Sequence, residues 1–233
     1  MWRGVAETFS WSEHVNMGRW MRSLLSVLIA ALTLPGCGGQ DPSRMPQDTP
    51  RRTLEKMARA LDVGNTEAFL ECWEVPPEQR ELLSRAMDMI VARRKLEGAA
   101  VEKFGKTAWE SAGRKYGMKQ QPKNPIGVLK LDRMEVKIEG DNATVTTGGD
   151  KPRKLVRREG IWRVTGAGLP KGENARRAGR MMKGFAGAMT MALTELESGA
   201  TADAVRRTMF METMKVIMTP AIEAMKETPK EKE

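Results

Sequence analysis

Apolar positions recur along this chain with two different periods, and the change of period divides it. From residue 49 the spacing is helical. Thr49-Pro50 has the form of an N-cap followed by proline in the first turn. Leu54, Met57, Ala58 and Leu61 then recur at three- and four-residue steps, and Gly64 is placed to stop the run. Asn65 or Thr66 opens a short second helix expected to reach Trp73, and Pro76-Pro77 closes it. A longer helix is predicted from Pro77 to about Leu96, with Leu83, Met87, Ile90 and Val91 on one side. Gly98 marks a break, and Val101, Phe104, Ala108 and Ala112 lie on one face of a further helix. Past Pro122 and Pro125 the period falls to two. Met134, Val136 and Ile138 alternate with charged neighbours at the end of a half-buried strand over 128–138. Ala143, Val145 and Thr147 alternate in the next strand, and residues 153–158 (RKLVRR) and 161–165 (IWRVT) supply two more. Tight turns join them at 139–142, 148–152 and 159–160. After Leu169-Pro170 the helical period returns for two helices, one ending near Ser198-Gly199 and one starting at Thr201 and ending at Thr219-Pro220. The predicted class is α+β. N-terminal helices pack on a curved antiparallel sheet of about four strands, and a C-terminal helical hairpin over 170–233 follows the domain at 49–169.

Two of these stretches resemble a known fold. The helix-turn-helix carrying Leu54, Met57, Leu61 and Gly64-Asn65-Thr66-Glu67-Ala68-Phe69 is one of them. The other is a meander containing Gly140-Asp141-Asn142-Ala143-Thr144-Val145 and Arg158-Glu159-Gly160-Ile161-Trp162-Arg163-Val164. Together they are similar to the nuclear-transport-factor-2-like family, which includes SnoaL-like enzymes and many non-catalytic binding or assembly modules. The resemblance covers 49–166 and implies a curved sheet around a helical layer with a conical pocket. The family's enzymes place Asp, His or Tyr in that pocket. Here the one acid near a strand pattern is Asp132 and the one tyrosine is Tyr116, so no catalytic residue carries over.

The amino terminus is of another kind. Arg19 and Arg22 precede an apolar run over 24–34 (LLSVLIAALTL), which is followed by Pro35-Gly36-Cys37-Gly38-Gly39. A basic stretch and a short apolar run ending in small residues describe a secretory signal, too short to span a bilayer stably. Leu34-Pro35-Gly36-Cys37 resembles the lipobox of bacterial lipoproteins. The resemblance implies a diacylglycerol on the Cys37 thiol and cleavage between Gly36 and Cys37. It also implies a chain anchored through acylated Cys37 to a bacterial outer or plasma membrane, with its domain outside the cytoplasm. Two or three acyl chains hold a protein durably where one does not, at roughly 0.8 kcal/mol per buried methylene. Residues 1–16 add no signal logic, so the true start is expected at Met17 or Met21. Residues 37–48 read as the lipidated cysteine and a flexible, proline-punctuated tether.

Composition then removes chemistries. The only histidine, His14, precedes the cleavage site, so the mature chain has no His-dependent triad and no histidine zinc site. Cys72 has no second unmodified cysteine to pair with, and its apolar surroundings read as core. No phosphate loop, dinucleotide fingerprint or calcium loop is present. No catalytic residue, metal or cofactor is therefore expected. The mature chain keeps 36 basic and 28 acidic residues, an excess suited to an anionic ligand. An envelope protein is another expected partner; nucleic acid is not, given the compartment. A candidate anion-binding surface is Arg153, Lys154, Arg157, Arg158 and Arg163, with Lys151 beside them. If Leu155 points inward, Arg153 and Arg157 share the concave side; if Val156 does, Lys154 and Arg158 share it. Nine of eighteen methionines follow residue 180, and Met211, Met214, Met218 and Met225 fall on one helix face. Thioethers can ligate Cu(I), but packing or a partner interface is the simpler expectation.

Overall fold

A computed structural model describes residues 40–116, 134–147 and 152–227, with backbone only for 147 and 220–227. The signal segment, Gly36, Cys37, Asp132 and Lys151 lie outside these residues. The chain is α+β and mostly helical, and it divides into two compact units, each drawn from two separate stretches. One comprises residues up to 75 with 124–170; the other comprises 76–123 with 171–233. The boundary expected at 169/170 therefore captures only half of the division. Helices at 77–115, expected to belong with the sheet, group with the C-terminal pair.

In the first unit, helix α1 (Pro50–Val63) starts as the sequence predicts. Thr49 is extended, its hydroxyl accepts from the Arg52 amide at 3.2 Å, and proline follows. Such a cap contributes about 1 kcal/mol. Gly64, at φ 73°, ends the helix in a left-handed conformation that a Cβ would resist. Asn65 then caps α2 (Thr66–Glu71) by accepting from the Ala68 amide at 3.0 Å. Helix α2 stops before Trp73 rather than including it. Trp73–Glu74 instead form a short strand, β1, parallel to β5 (Ile161–Thr165), and the Val164 amide donates to the Cys72 carbonyl at 2.8 Å. Burying the Trp73 indole against Phe69 (centroids 5.9 Å apart) outweighs continuing the helix toward Pro76.

The meander supplies β2 (Met134–Glu139), β3 (Asn142–Thr147), β4 (Arg153–Arg158) and β5, in the order β1-β5-β4-β3-β2. The sheet is thus five-stranded and mixed, not four-stranded and purely antiparallel. Glu159 and Gly160 both have positive φ, the geometry of a two-residue hairpin turn. Register puts Ala143 opposite Leu155 and Leu155 opposite Val164, and these three are buried with Val145 and Trp162. Val136 and Ile138 share that face, yet they are 38% and 55% exposed. Helix α1 packs on β5, whereas β2 is the outermost strand, so the half-buried strand predicted there is largely exposed.

The expected tether is also partly docked. Asp41 caps a 3-10 turn (Pro42–Arg44), Pro42 is buried, and the Asn65 side-chain Nδ2 donates to the Ser43 hydroxyl at 3.2 Å. The Gln47 carbonyl accepts from the Trp162 amide at 2.8 Å, and its side chain returns a bond to the Trp162 carbonyl at 3.1 Å. Gln47 thus covers the edge of β5 next to β1.

The second unit contains α3 (Pro77–Phe104), α4 (Lys106–Lys115), α5 (Gly172–Glu197) and α6 (Ala202–Glu227). Helix α3 runs through Gly98 and breaks at Gly105, which has φ 78°. One interior glycine costs about 1 kcal/mol against alanine, and burial of Leu96 and Ala100 beside it offsets that. These two join Trp109, Ala192, Leu196 and Val205 in a core cluster. Helix α5 lies close to its neighbours at two glycines. A Cβ on Gly179 would meet the Leu82 backbone at 3.9 Å, and one on Gly184 would stand 2.7 Å from a Val216 methyl. Helix α6 continues past Pro220 instead of ending there. Proline deletes one backbone bond, but its fixed φ is itself helical.

Candidate functional site

The five strand cations do not gather into one site. Leu155 faces the core, so register places Arg153 and Arg157 on its face of the sheet. Lys154, Arg158 and Arg163 stand on the other face. Arg157 is held by Asp141 at 2.9 Å, with its guanidinium 5.5 Å from the Trp162 ring centroid; Arg163 pairs with Glu74 at 3.5 Å. The alternation of a β-strand divides what looks contiguous in RKLVRR. The basic excess lies elsewhere. In the mature chain the sheet unit has 14 basic and 13 acidic residues, while the helical unit has 22 and 15.

Within the helical unit a groove of about 220 Å³ is lined by Glu78, Glu81, Arg85, Arg176, Arg180 and Lys183 among others. Its charges largely compensate one another. Glu173 accepts from Arg176 at 2.8 Å and from Arg180 at 2.9 Å, which holds its carboxyl below the usual range, and Arg85 stands 3.9 Å from Glu81.

One buried cation and one half-buried cation are not evident from the sequence pattern. Lys56 is enclosed in the sheet unit, its ammonium donating to Glu71 at 2.7 Å and to Gln47 at 3.0 Å. Nearby, the Thr53 hydroxyl donates to the Trp162 carbonyl at 2.9 Å. In the helical unit Arg206 stacks 3.4 Å above the Trp109 ring and donates to the Trp109 carbonyl; burial lowers its pKa to about 10. Lys56 lies outside the apolar set Leu54, Met57, Ala58 and Leu61, and its ion pair with Glu71 of α2 accompanies its burial. Beside these, Asp203 joins α6 to the end of α4, accepting from Lys115 at 2.9 Å and from Tyr116 at 3.1 Å. The lone tyrosine therefore serves a helix junction.

Cys72 is buried, and its thiol donates to the Ala68 carbonyl. Burial pushes its pKa from 9.0 up to about 12, against a smaller opposing effect of the Lys56 charge. A protonated, enclosed thiol is a poor nucleophile. Iodoacetamide at pH 8 should leave Cys72 intact over hours in the folded protein and modify it fully in denaturant, as read by intact mass. Modification at the same rate in both would contradict this burial. Because the folded-state pKa is raised, the contribution to stability is complete below pH 9 and declines between pH 9 and about 12.

The remaining feature is apolar. On α6, Val205, Met209 and Val216 fall on one side; Val205 and Met209 pack with the Leu96–Trp109 cluster, and Val216 approaches Gly184. At about 100° per residue, Met211, Met214 and Met218 lie on the opposite side. Met211 and Met218 are half exposed, as is Ile217 beside them. Met211 and Met218 thus leave about half of their surface uncovered on this side, whereas Met214 between them is less exposed. The side chain of Met225 lies outside the described residues. Among these residues no helix is long and apolar enough to cross a membrane, and no group of three His, Cys, Asp or Glu could hold a metal.

No protein-family model, curated protein or solved structure matches the chain. What can be said of its activity rests on its own residues.

Proposed function

We propose that the chain is a bacterial envelope lipoprotein, anchored through acylated Cys37, whose folded part is a non-catalytic binding or assembly module. On this reading the sheet unit is a reduced form of the nuclear-transport-factor-2-like plan, supported by its two helices and meander, to which a parallel strand is added. The observation that carries the binding role is the half-exposed apolar face of α6 at Met211, Ile217 and Met218. An apolar side chain of this size contributes about 2 kcal/mol when fully buried, so a stripe of several turned away from its own core favours a partner. Support for a role without chemistry comes from the protonated Cys72, the absence of histidine after residue 14, and charged groups compensated by near neighbours.

Both halves are tested in the host membrane. The wild-type N-terminal peptide should begin at Cys37 and carry a diacylglyceryl mass, while Cys37→Ala should accumulate as an uncleaved, unacylated precursor. Processing of Cys37→Ala to the same end would refute the anchor. The double variant Met211→Lys, Met218→Lys should keep its helical circular dichroism and lose the cross-linked higher-mass species formed by the wild type. Unchanged cross-linking, or none in the wild type, would refute the α6 interface.

A further inference from the structure

We infer that the corner made by the 3-10 turn and the α1–α2 junction is kept toward the lipid headgroups, because the anchor prevents the sheet unit from inverting. The inference rests on the acylation proposed above and extends it from attachment to pose. Its basis is the length of chain between the anchor and the first docked residues. Asp41 already caps the 3-10 turn, Pro42 is buried, and Ser43 is bonded to Asn65. Five peptide steps separate Cys37 from Pro42, a reach of at most roughly 18 Å at about 3.6 Å per residue. A glycerolipid on Cys37 places that residue at the headgroup layer, so Pro42 stays within this distance of the membrane.

The size of the unit turns a short leash into an orientation. The described part of the unit, about 70 residues, has as a compact body a radius of gyration of about 11 Å, hence a diameter of roughly 28 Å. Turning the opposite pole toward the bilayer would lift the 3-10 turn by about that diameter, farther than the leash allows. The face left toward the lipid carries Ser43, Arg44, Val63, Asn65 and Glu67. Val63 and Glu67 are exposed, as is Arg44. Their charges are mixed, so acidic lipid has no strong hold on this corner, and the leash biases the pose by excluding the inverted one. The start of β2 is remote: β2 lies three strands from β5, and Glu135 sits at the sheet end opposite Ile161.

The test uses the full, host-processed chain in vesicles of phosphatidylcholine and phosphatidylglycerol. Single spin labels are attached at Val63→Cys, Glu67→Cys or Glu135→Cys. Cys72 is buried and stays unlabelled, and acylated Cys37 offers no thiol. Collision with a nickel-chelating headgroup lipid should be several-fold more frequent at 63 and 67 than at 135. Equal or reversed frequencies in a sample whose acyl mass is verified overturn the pose; absence of the acyl mass overturns the anchor instead. A twelve-residue Gly-Ser insertion after Gly39 should flatten the gradient. A gradient that survives the insertion shows that something other than the leash orients the unit, and overturns the inference.

Discussion

Glu71→Ala should destabilise the folded chain by about 3 kcal/mol, whereas Lys56→Met should cost about 1 kcal/mol, although the two substitutions break the same ion pair. The asymmetry follows from where each charge is left. The Lys56 side chain is 4% exposed and that of Glu71 is 44% exposed. Deleting the carboxylate strands an ammonium in the interior, with only the Gln47 side-chain oxygen, 3.0 Å away, to replace it. Deleting the ammonium instead frees a carboxylate that already reaches water. Methionine refills the volume of the lysine stem, which packs as an apolar chain. The bond that Lys56 donates to the Gln47 side-chain oxygen is lost too, but the Gln47 side-chain amide still donates to the Trp162 carbonyl. Urea unfolding followed by tryptophan fluorescence measures both costs. Equal losses, or a larger one for Lys56→Met, would show that Lys56 is not enclosed as described.

Gly184→Ala should destabilise by about 1–2 kcal/mol in the wild-type background and stabilise by about 0.5–1 kcal/mol once Val216 is alanine. An interior glycine in a helix normally gains from this change, because alanine restricts the unfolded backbone and adds no strain. Here the new Cβ would stand 2.7 and 2.8 Å from the two Val216 methyls, closer than carbon atoms approach. Helix α6 must then shift away from α5, or Val216 must leave its rotamer. Trimming Val216 removes the obstacle and lets the helix preference show. A double-mutant cycle by thermal unfolding reads the coupling, and additive effects would mean that the two helices do not touch at this point. Both substitutions lie across α6 from Met211 and Met218, so cross-linking through the methionine face serves as an independent control.

How much of this was legible beforehand depended on whether the signal was local. The start of α1 and the stop at Gly64 are written in neighbouring residues and form as read, and of the two starts open for α2, Asn65 or Thr66, Asn65 is the cap. The hairpin turns at Gly140-Asp141 and Glu159-Gly160 are local too. Missed features depend on contacts far along the chain. Trp73 has the apolar character of a helix residue, and it extends into a strand only because β5 offers a free edge 89 residues away, as measured between Glu74 and Arg163. Gly98 and Pro220 are breakers by preference, and packing or helical φ overrides them. RKLVRR left its inward face undecided because each face carries two cations and one apolar residue. Burial of Leu155 by the rest of the sheet supplies the missing choice. Val136 and Ile138 have the right period but no cover, since periodicity reports a face and not whether anything lies against it. The methionine stripe was visible as a stripe, and its side of α6 became known only once Val205 and Val216 were seen to occupy the other.

The interleaving of the two units has a consequence for biogenesis. The early helices α1 and α2 cannot complete their sheet until β5 has been made, and α3 and α4 cannot complete their bundle until α5 and α6 follow. Closing loops of this length costs only slightly more entropy than closing shorter ones, but contacts so distant in sequence are slow to find. On the export proposed above, residues 40–75 would leave a membrane pore ahead of β5 and so without their partners. That stretch would stay open, with Phe69 and Trp73 accessible, until β5 had crossed. Neither unit can be cut out as a single continuous segment, and a nascent chain released at Pro170 would leave α3 and α4 without their partners. Such a protein depends on a holding factor during transit more than one whose domains follow each other in line.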